Sequence, residues 1–138
     1  MSFSIKLDGV QKEIERLKKK SNEVSEDVDA VLQNYALIIA GRARQLAPVD
    51  LTGLRSSIGS ERAGKLTWQI VADKFYAPYV EFGTGGFVKV FPGVEKYAMT
   101  FYKNGQGHMR PHPFIFPAFF ENREKLIKDI KEELEKSR

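Results

Sequence analysis

Between Glu23 and Leu46 the apolar residues Val24, Val28, Val31, Tyr35 and Ile38 return at steps of four, three, four and three. That spacing puts them on one face of a long helix. Within it the run Tyr35-Ala36-Leu37-Ile38-Ile39-Ala40 is apolar nearly all round, so the helix must lie against a core. Ser21 or Asn22 offers a capping oxygen, while Glu23, Glu26 and Asp27 place negative charge in the first turn. Pro48 stops it. The remaining chain therefore has to supply layers that cover this helix.

An earlier helix is predicted from Leu7 to Lys20, with Leu7, Val10, Ile14 and Leu17 on one narrow stripe and charged residues around it. Its Lys18-Lys19-Lys20 end complements the helix dipole, although it would also suit phosphate. Residues 1–21 read as an amphipathic N-terminal helix serving as an assembly arm, and 22–138 as a single domain. Downstream, Leu66, Trp68, Ile70 and Ala72 alternate with Thr67, Gln69 and Val71 in the period of a half-buried strand. With Ser57 to Arg62 this predicts a β-hairpin turning at Ala63-Gly64. Phe75 to Phe82 reads as a short helical turn halted by glycines, and Phe87 to Arg110 as an excursion of no assigned structure. Pro113 to Pro117 suits an edge or terminal strand, where proline is tolerated. Ala118 to Lys136 is a last helix with Phe119, Phe120, Leu126, Ile127, Ile130 and Leu134 on its apolar side. The expected class is α+β: a curved antiparallel sheet flanked by a long N-terminal helix and a C-terminal helix.

A chain of 138 residues suits one compact core. Without cysteine it can hold neither a disulfide nor a thiolate metal site. No apolar run approaches the roughly 20 residues of a membrane span, and the first residues lack a secretory signal pattern. The net charge of +4 is unevenly placed: residues 51–120 carry 8 Lys/Arg against 4 Asp/Glu, and the flanking parts are balanced. A mildly positive middle would favour passing DNA or an acidic protein surface, though a plain soluble surface is the stronger account of it.

Catalytic patterns are missing from the sequence. His108 and His112 stand four apart beside Pro111 and Pro113, which disfavour the helix that would give them a shared metal face. Gly83-Thr84-Gly85-Gly86 lacks the Gly-Lys-Ser/Thr of a phosphate loop. Ser56, Ser57 and Ser60 have no nucleophile-elbow context. Glu81, alone among aromatics, reads as a structural acceptor for N–H groups near the glycine turn rather than as a base. No catalytic residue, metal or cofactor is expected. Aromatic residues instead crowd positions 75–120, in excess of what a small core needs, and rings concentrate where proteins meet. The candidate partner-contact residues are Leu7, Val10, Ile14 and Leu17 of the first helix, with Phe87, Phe91, Tyr97, Phe101 and Tyr102 of the excursion.

Three blocks carry a resemblance. They are Ala47-Pro48-Val49-Asp50-Leu51-Thr52-Gly53-Leu54-Arg55-Ser56-Ser57-Ile58, Tyr76-Ala77-Pro78-Tyr79-Val80-Glu81-Phe82-Gly83-Thr84, and Arg110-Pro111-His112-Pro113-Phe114-Ile115-Phe116-Pro117-Ala118. In order and spacing they resemble the tail-completion, or head-tail joining, proteins of lambdoid-type siphophages. Pro48, Gly53, Leu54, Arg55, Tyr76, Tyr79, Glu81, Phe82, Gly83, Thr84, Pro113, Phe114 and Pro117 fall on that family's motif as structural positions. One departure is that Thr52-Gly53 sits a place later than the family's Thr-Gly, with Leu51 before it. The resemblance implies a non-enzymatic virion protein at the head-proximal end of the tail, made in the host cytoplasm. Its implied partners are its own copies in a homo-oligomeric ring, a hexamer, together with the tail tube and head-tail connector proteins. It implies no cofactor and no membrane, and allows non-specific contact with passing DNA. The competing reading is a stand-alone DNA-binding module that uses the basic, aromatic-rich middle.

Overall fold

The computed structural model describes residues 3–6, 22–88 and 107–136. Its elements run β1 (Phe3–Lys6), α1 (Asn22–Leu46), α2 (Thr52–Ser57), β2 (Ile58–Gly64), β3 (Thr67–Ala72), α3 (Ala77–Phe82), a single 3-10 turn (Gly85–Phe87) and α4 (Ile115–Lys136). The fold is α+β, with an antiparallel sheet, a long helix near the N-terminus and a closing helix.

The sheet order is β1-β3-β2, all antiparallel. Central β3 aligns Ile70 with Ile5 of β1 and with Ser60 of β2. On β3, Trp68, Ile70 and Ala72 are buried while Thr67, Gln69 and Val71 are half-buried, so the two-residue period sets one face inward. That face meets α1, which packs on β2, β3 and α4. Val28, Leu32, Tyr35, Ala36, Ile39, Ala40 and Ala43 form its buried side, and Leu126 and Ile130 are buried on α4. Tyr35 ties the two helices by donating its hydroxyl to Asp129 at 2.5 Å. Burial beside that carboxylate pushes the phenol up to about 12.

Several expectations are corrected. The hairpin turns at Lys65-Leu66, not at Ala63-Gly64. A register shift between Arg62 and Gly64 swings the chain so that Leu66 enters the core, 2% exposed, at a positive φ of 54°. Pro113 to Pro117 form no strand: residues 107–114 are irregular, and α4 already begins at Ile115. Pro117 fits because the first turn of a helix has no carbonyl waiting for its missing N–H. The run Tyr35 to Ala40 does lie against the core, through Tyr35, Ala36, Ile39 and Ala40, and leaves Leu37 56% and Ile38 44% exposed. Two elements, β1 and α2, have no counterpart in the sequence reading. The predicted Leu7–Lys20 helix and the 87–110 excursion beyond Val88 lie outside the described residues.

Candidate functional site

The motif blocks converge on α3 and the start of α4. Pro78 at the head of α3 has the φ a first helical turn requires. Its last turn carries Glu81 and Phe82, both fully buried. The Glu81 carboxylate accepts the backbone N–H of Phe114 at 2.9 Å and of Ile115 at 2.8 Å. It thus caps α4 from a distant segment and places a carboxylate at the positive end of that helix. Burial pushes the Glu81 carboxyl up to about 7, against the lowering effect of the N–H bonds from Ile115, Phe114 and Phe116. The donors are therefore those of α4, not of the glycine turn beside Glu81.

The same joint is stitched along its length. His112 N–H donates to the Val80 carbonyl at 2.7 Å, Thr84 N–H to the Met109 carbonyl at 2.9 Å, and Met109 N–H to Thr84 Oγ1 at 3.0 Å. Gly83 makes the approach possible: its φ is +79°, and a Cβ there would lie 2.8 Å from the Met109 carbonyl oxygen. Gly107, at φ +99°, admits Thr84 in the same way, since a Cβ would stand 2.7 Å from Thr84 Oγ1. Phe82 rests 5.7 Å from the Phe116 ring. The second and third blocks are thus the two halves of one internal joint.

The first block closes the other end of α1. Arg55 of α2 donates Nε to the Arg44 carbonyl at 2.9 Å and Nη2 to the Gln45 carbonyl at 3.5 Å, while Arg44 Nη1 donates to the Ile58 carbonyl at 2.6 Å. The Arg55 guanidinium satisfies carbonyls that the end of α1 leaves open, and Arg44 ties that end to the start of β2. Leu54 is fully buried, and Pro48 accepts the Leu51 N–H at 3.1 Å. Gly53 lies under Tyr76, whose hydroxyl oxygen is 3.5 Å from where a Cβ would stand. Block one therefore touches block two.

The catalytic candidates are occupied otherwise. Ser56 and Ser57 donate to the carbonyls of Gly53 and Leu54 in their own helix. His108 and His112 lie in the irregular segment 107–114, both exposed, on no shared helical face. Among the described residues no three His, Asp or Glu side chains gather as a metal cluster. Both Glu81 oxygens are used by backbone donors inside the core. A groove near the hairpin tip, lined by Asp29, Arg62 and Lys65 among others, is braced rather than open to chemistry. Asp29 accepts Arg62 Nη1 at 2.9 Å and Nη2 at 2.5 Å, and Trp68 Nε1 at 3.1 Å. The hydrogen bond from Arg62 holds the Asp29 carboxyl below its usual range, against partial burial.

Of the basic middle, Arg55, Arg62 and Arg110 all engage this protein, Arg110 stacking 5.2 Å over the Phe87 ring. Phe87 is 41% exposed and Met109 40%. Tyr79 is half-buried on α3, Pro113 half-buried beside Phe114, and Phe114 fully buried. Leu7, Val10, Ile14, Leu17, Phe91, Tyr97, Phe101 and Tyr102 lie outside the described residues. The exposed apolar pair Leu37 and Ile38 was missed in the sequence, where the all-round apolar run concealed which side faces water.

Compared with known proteins, residues 8–83 match the family model described as "Bacteriophage HK97-gp10, putative tail-component". No curated protein and no solved structure matches the chain. The matched span holds α1, the hairpin and α3 with Glu81, and ends at Gly83.

Proposed function

The chain belongs to the HK97-gp10-like family of bacteriophage tail components, and from that premise we propose that it completes the tail and joins it to the head. Its coarser role, a structural component of the phage tail that resides in the virion, follows from the family itself. The finer role is carried by the likeness of the three motif blocks to head-tail joining proteins. Those blocks build the subunit's fold: residues 76–84 and 110–118 are spent on capping and stitching, and 47–58 on closing α1. In this reading the subunit has no enzymatic task and takes no cofactor. It forms a homo-oligomeric ring, a hexamer, at the head-proximal end of the tail tube, against the tube and the connector.

Residues 3–6 are paired into the sheet as β1, and it is the stretch after them, up to residue 21, that acts as the arm reaching a neighbour, through Leu7, Val10, Ile14 and Leu17. Phe87 and the excursion it opens, with Phe91, Tyr97, Phe101 and Tyr102, supply the aromatic contacts. A virus with a null allele accumulates filled heads and unjoined tails, or tails of abnormal length. Added protein seen by electron microscopy as a ring at one end of isolated tail tubes supports the role. Joined, infectious particles from the null allele refute it.

A further inference from the structure

The solvent side of α1 is uncharged at its centre and oppositely charged at its ends. Residues 30–41 contain no Asp, Glu, Lys or Arg. Along this stretch Ala30, Gln33, Asn34, Leu37 and Ile38 are exposed, and Gly41 is half-buried. Before it on the same side stand exposed Glu26 and Asp27, and after it exposed Arg44. Leu37 and Ile38, 56% and 44% exposed, are large apolar groups set in water with no partner of their own helix to cover them. We propose that this face of α1 pairs with the same face of a second copy of the chain, the two helices antiparallel across a two-fold axis.

Charge complementarity selects that occupant and that direction. Asp27 and Arg44 are separated by about 25 Å along the helix at 1.5 Å per residue, and their midpoint falls in the middle of the uncharged stretch. Rotating one copy about that midpoint sets Asp27 of each against Arg44 of the other, and does so twice. It also sets Ala30 against Gly41, the two smallest residues of the face, so that the helix axes approach closely. Asn34 then meets Leu37, Gln33 meets Ile38, and the two Leu37 side chains lie beside the axis. A parallel pairing would instead stack Asp27 on Asp27 and Arg44 on Arg44, and would align the helix dipoles unfavourably. Reaching both ion pairs requires the shallow crossing of about 20°, because the steeper class near 50° splays the helix ends apart.

A two-fold contact closes on itself. It cannot propagate round a ring, so it is a contact separate from the ring proposed above and does not rest on that reading. It would pair free subunits, or one ring with another. The face is small, so the pair is weak and forms at high protein concentration.

The test uses the full chain in sedimentation velocity, from about 5 µM to about 500 µM, the range in which so small an interface associates. A monomer–dimer equilibrium is expected. Leu37→Lys leaves the melting curve unchanged, since the side chain is exposed, and leaves a monomer. Asp27→Arg and Arg44→Asp each weaken dimerisation by roughly tenfold at low salt, and the two together restore it. Melting curves of these variants separate lost association from lost folding, which matters because Arg44 also serves the Ile58 carbonyl. The chain has no cysteine, so disulfide trapping reads the pairing directly. Ala30→Cys mixed with Gly41→Cys forms a mixed disulfide faster than either variant cross-links to itself. Gly41 accepts the Cβ, its nearest neighbour being Arg44 Nη2 at 3.9 Å.

A chain that stays monomeric throughout overturns the proposal, including the case in which its own residues 7–21 cover the face. So does a dimer indifferent to Leu37→Lys, or self-linking of Ala30→Cys that outruns the mixed product. A monomer whose Leu37→Lys variant loses binding to tail tubes assigns the face to another virion protein and overturns it equally.

Discussion

Glu81→Gln isolates the effect of a charge buried at a helix start. The substitution keeps the volume of the side chain and removes its titration. In the folded chain the carboxyl is pushed up to about 7 from an ordinary 4.5, which at about 1.4 kcal/mol per unit corresponds to about 3 kcal/mol between its two protonation states. A folded-state pKa raised above the unfolded value means that the native state holds the proton more tightly. Stability from this group is therefore complete below pH 4.5 and is lost as pH rises through about 7. Between pH 5 and pH 8 the loss is about 2–3 kcal/mol.

Glutamine has one carbonyl oxygen for the two N–H donors of Phe114 and Ile115, a roughly constant cost of about 1–3 kcal/mol. Urea unfolding of both proteins at pH 5, 6, 7 and 8 cancels every other titrating group. The difference in stability should shift by about 2–3 kcal/mol in favour of Glu81→Gln as pH rises. Curves that stay parallel to within about 0.5 kcal/mol would show the carboxylate ionised throughout. The two N–H bonds and the helix dipole would then outweigh burial, and the reasoning would fail.

Other substitutions probe the remaining joints. Asp29→Ala strands Arg62 and the Trp68 indole N–H and should cost roughly 1–3 kcal/mol with a shift in tryptophan emission. Because the Asp29 carboxyl is held below its usual range, its contribution is present above about pH 4 and fades in acid, where variant and parent should converge in denaturant titrations. Gly83→Ala combines a φ of +79° with a Cβ 2.8 Å from the Met109 carbonyl, and should lose at least about 2 kcal/mol by calorimetry. Gly86→Ala, which meets nothing within 4 Å, should stay within about 0.5 kcal/mol. Arg55→Ala uncovers the Arg44 and Gln45 carbonyls at the end of α1 and should cost about 1 kcal/mol in thermal melts; an unchanged melting curve would deny it a capping role.

What the sequence could express was what depends on neighbours in the chain. The long helix is legible because its stripe, its acidic first turn and Pro48 are all local, and the structure places it at Asn22–Leu46, one residue from the expected start. The β3 alternation from Leu66 to Ala72 is legible for the same reason. The start of α4 is not, because no Ser, Thr, Asp or Asn stands before Ile115. Its cap comes from Glu81, more than thirty residues earlier, so Pro113 and Pro117 read as marks of an edge strand. Strand β1 is likewise fixed by pairing with β3 rather than by any pattern of its own in four residues. The acceptor role of Glu81 was readable from a lone carboxylate among aromatics, while its donors were not.

This division separates stability from association within one chain. Pro48, Gly53, Leu54, Arg55, Tyr76, Glu81, Gly83, Thr84 and Phe114 stand on the motif, and their contacts are internal to the fold. Each is a cap, a close approach or a core position. A change at any of them is expected to be felt first in the melting curve, because it leaves a buried donor unpaired or drives a side chain into backbone. Leu37, Ile38, Asp27 and Arg44 lie on the opposite side of α1, and among the described residues Arg44 is the one of these four that bonds to the fold beyond that helix. Changes at Leu37, Ile38 and Asp27 are therefore expected to leave the melt alone and alter what the chain associates with. If the two sets exchanged signatures, with Leu37→Lys unfolding the chain and Gly83→Ala altering only association, the motif would be the contact surface and α1 an internal wall.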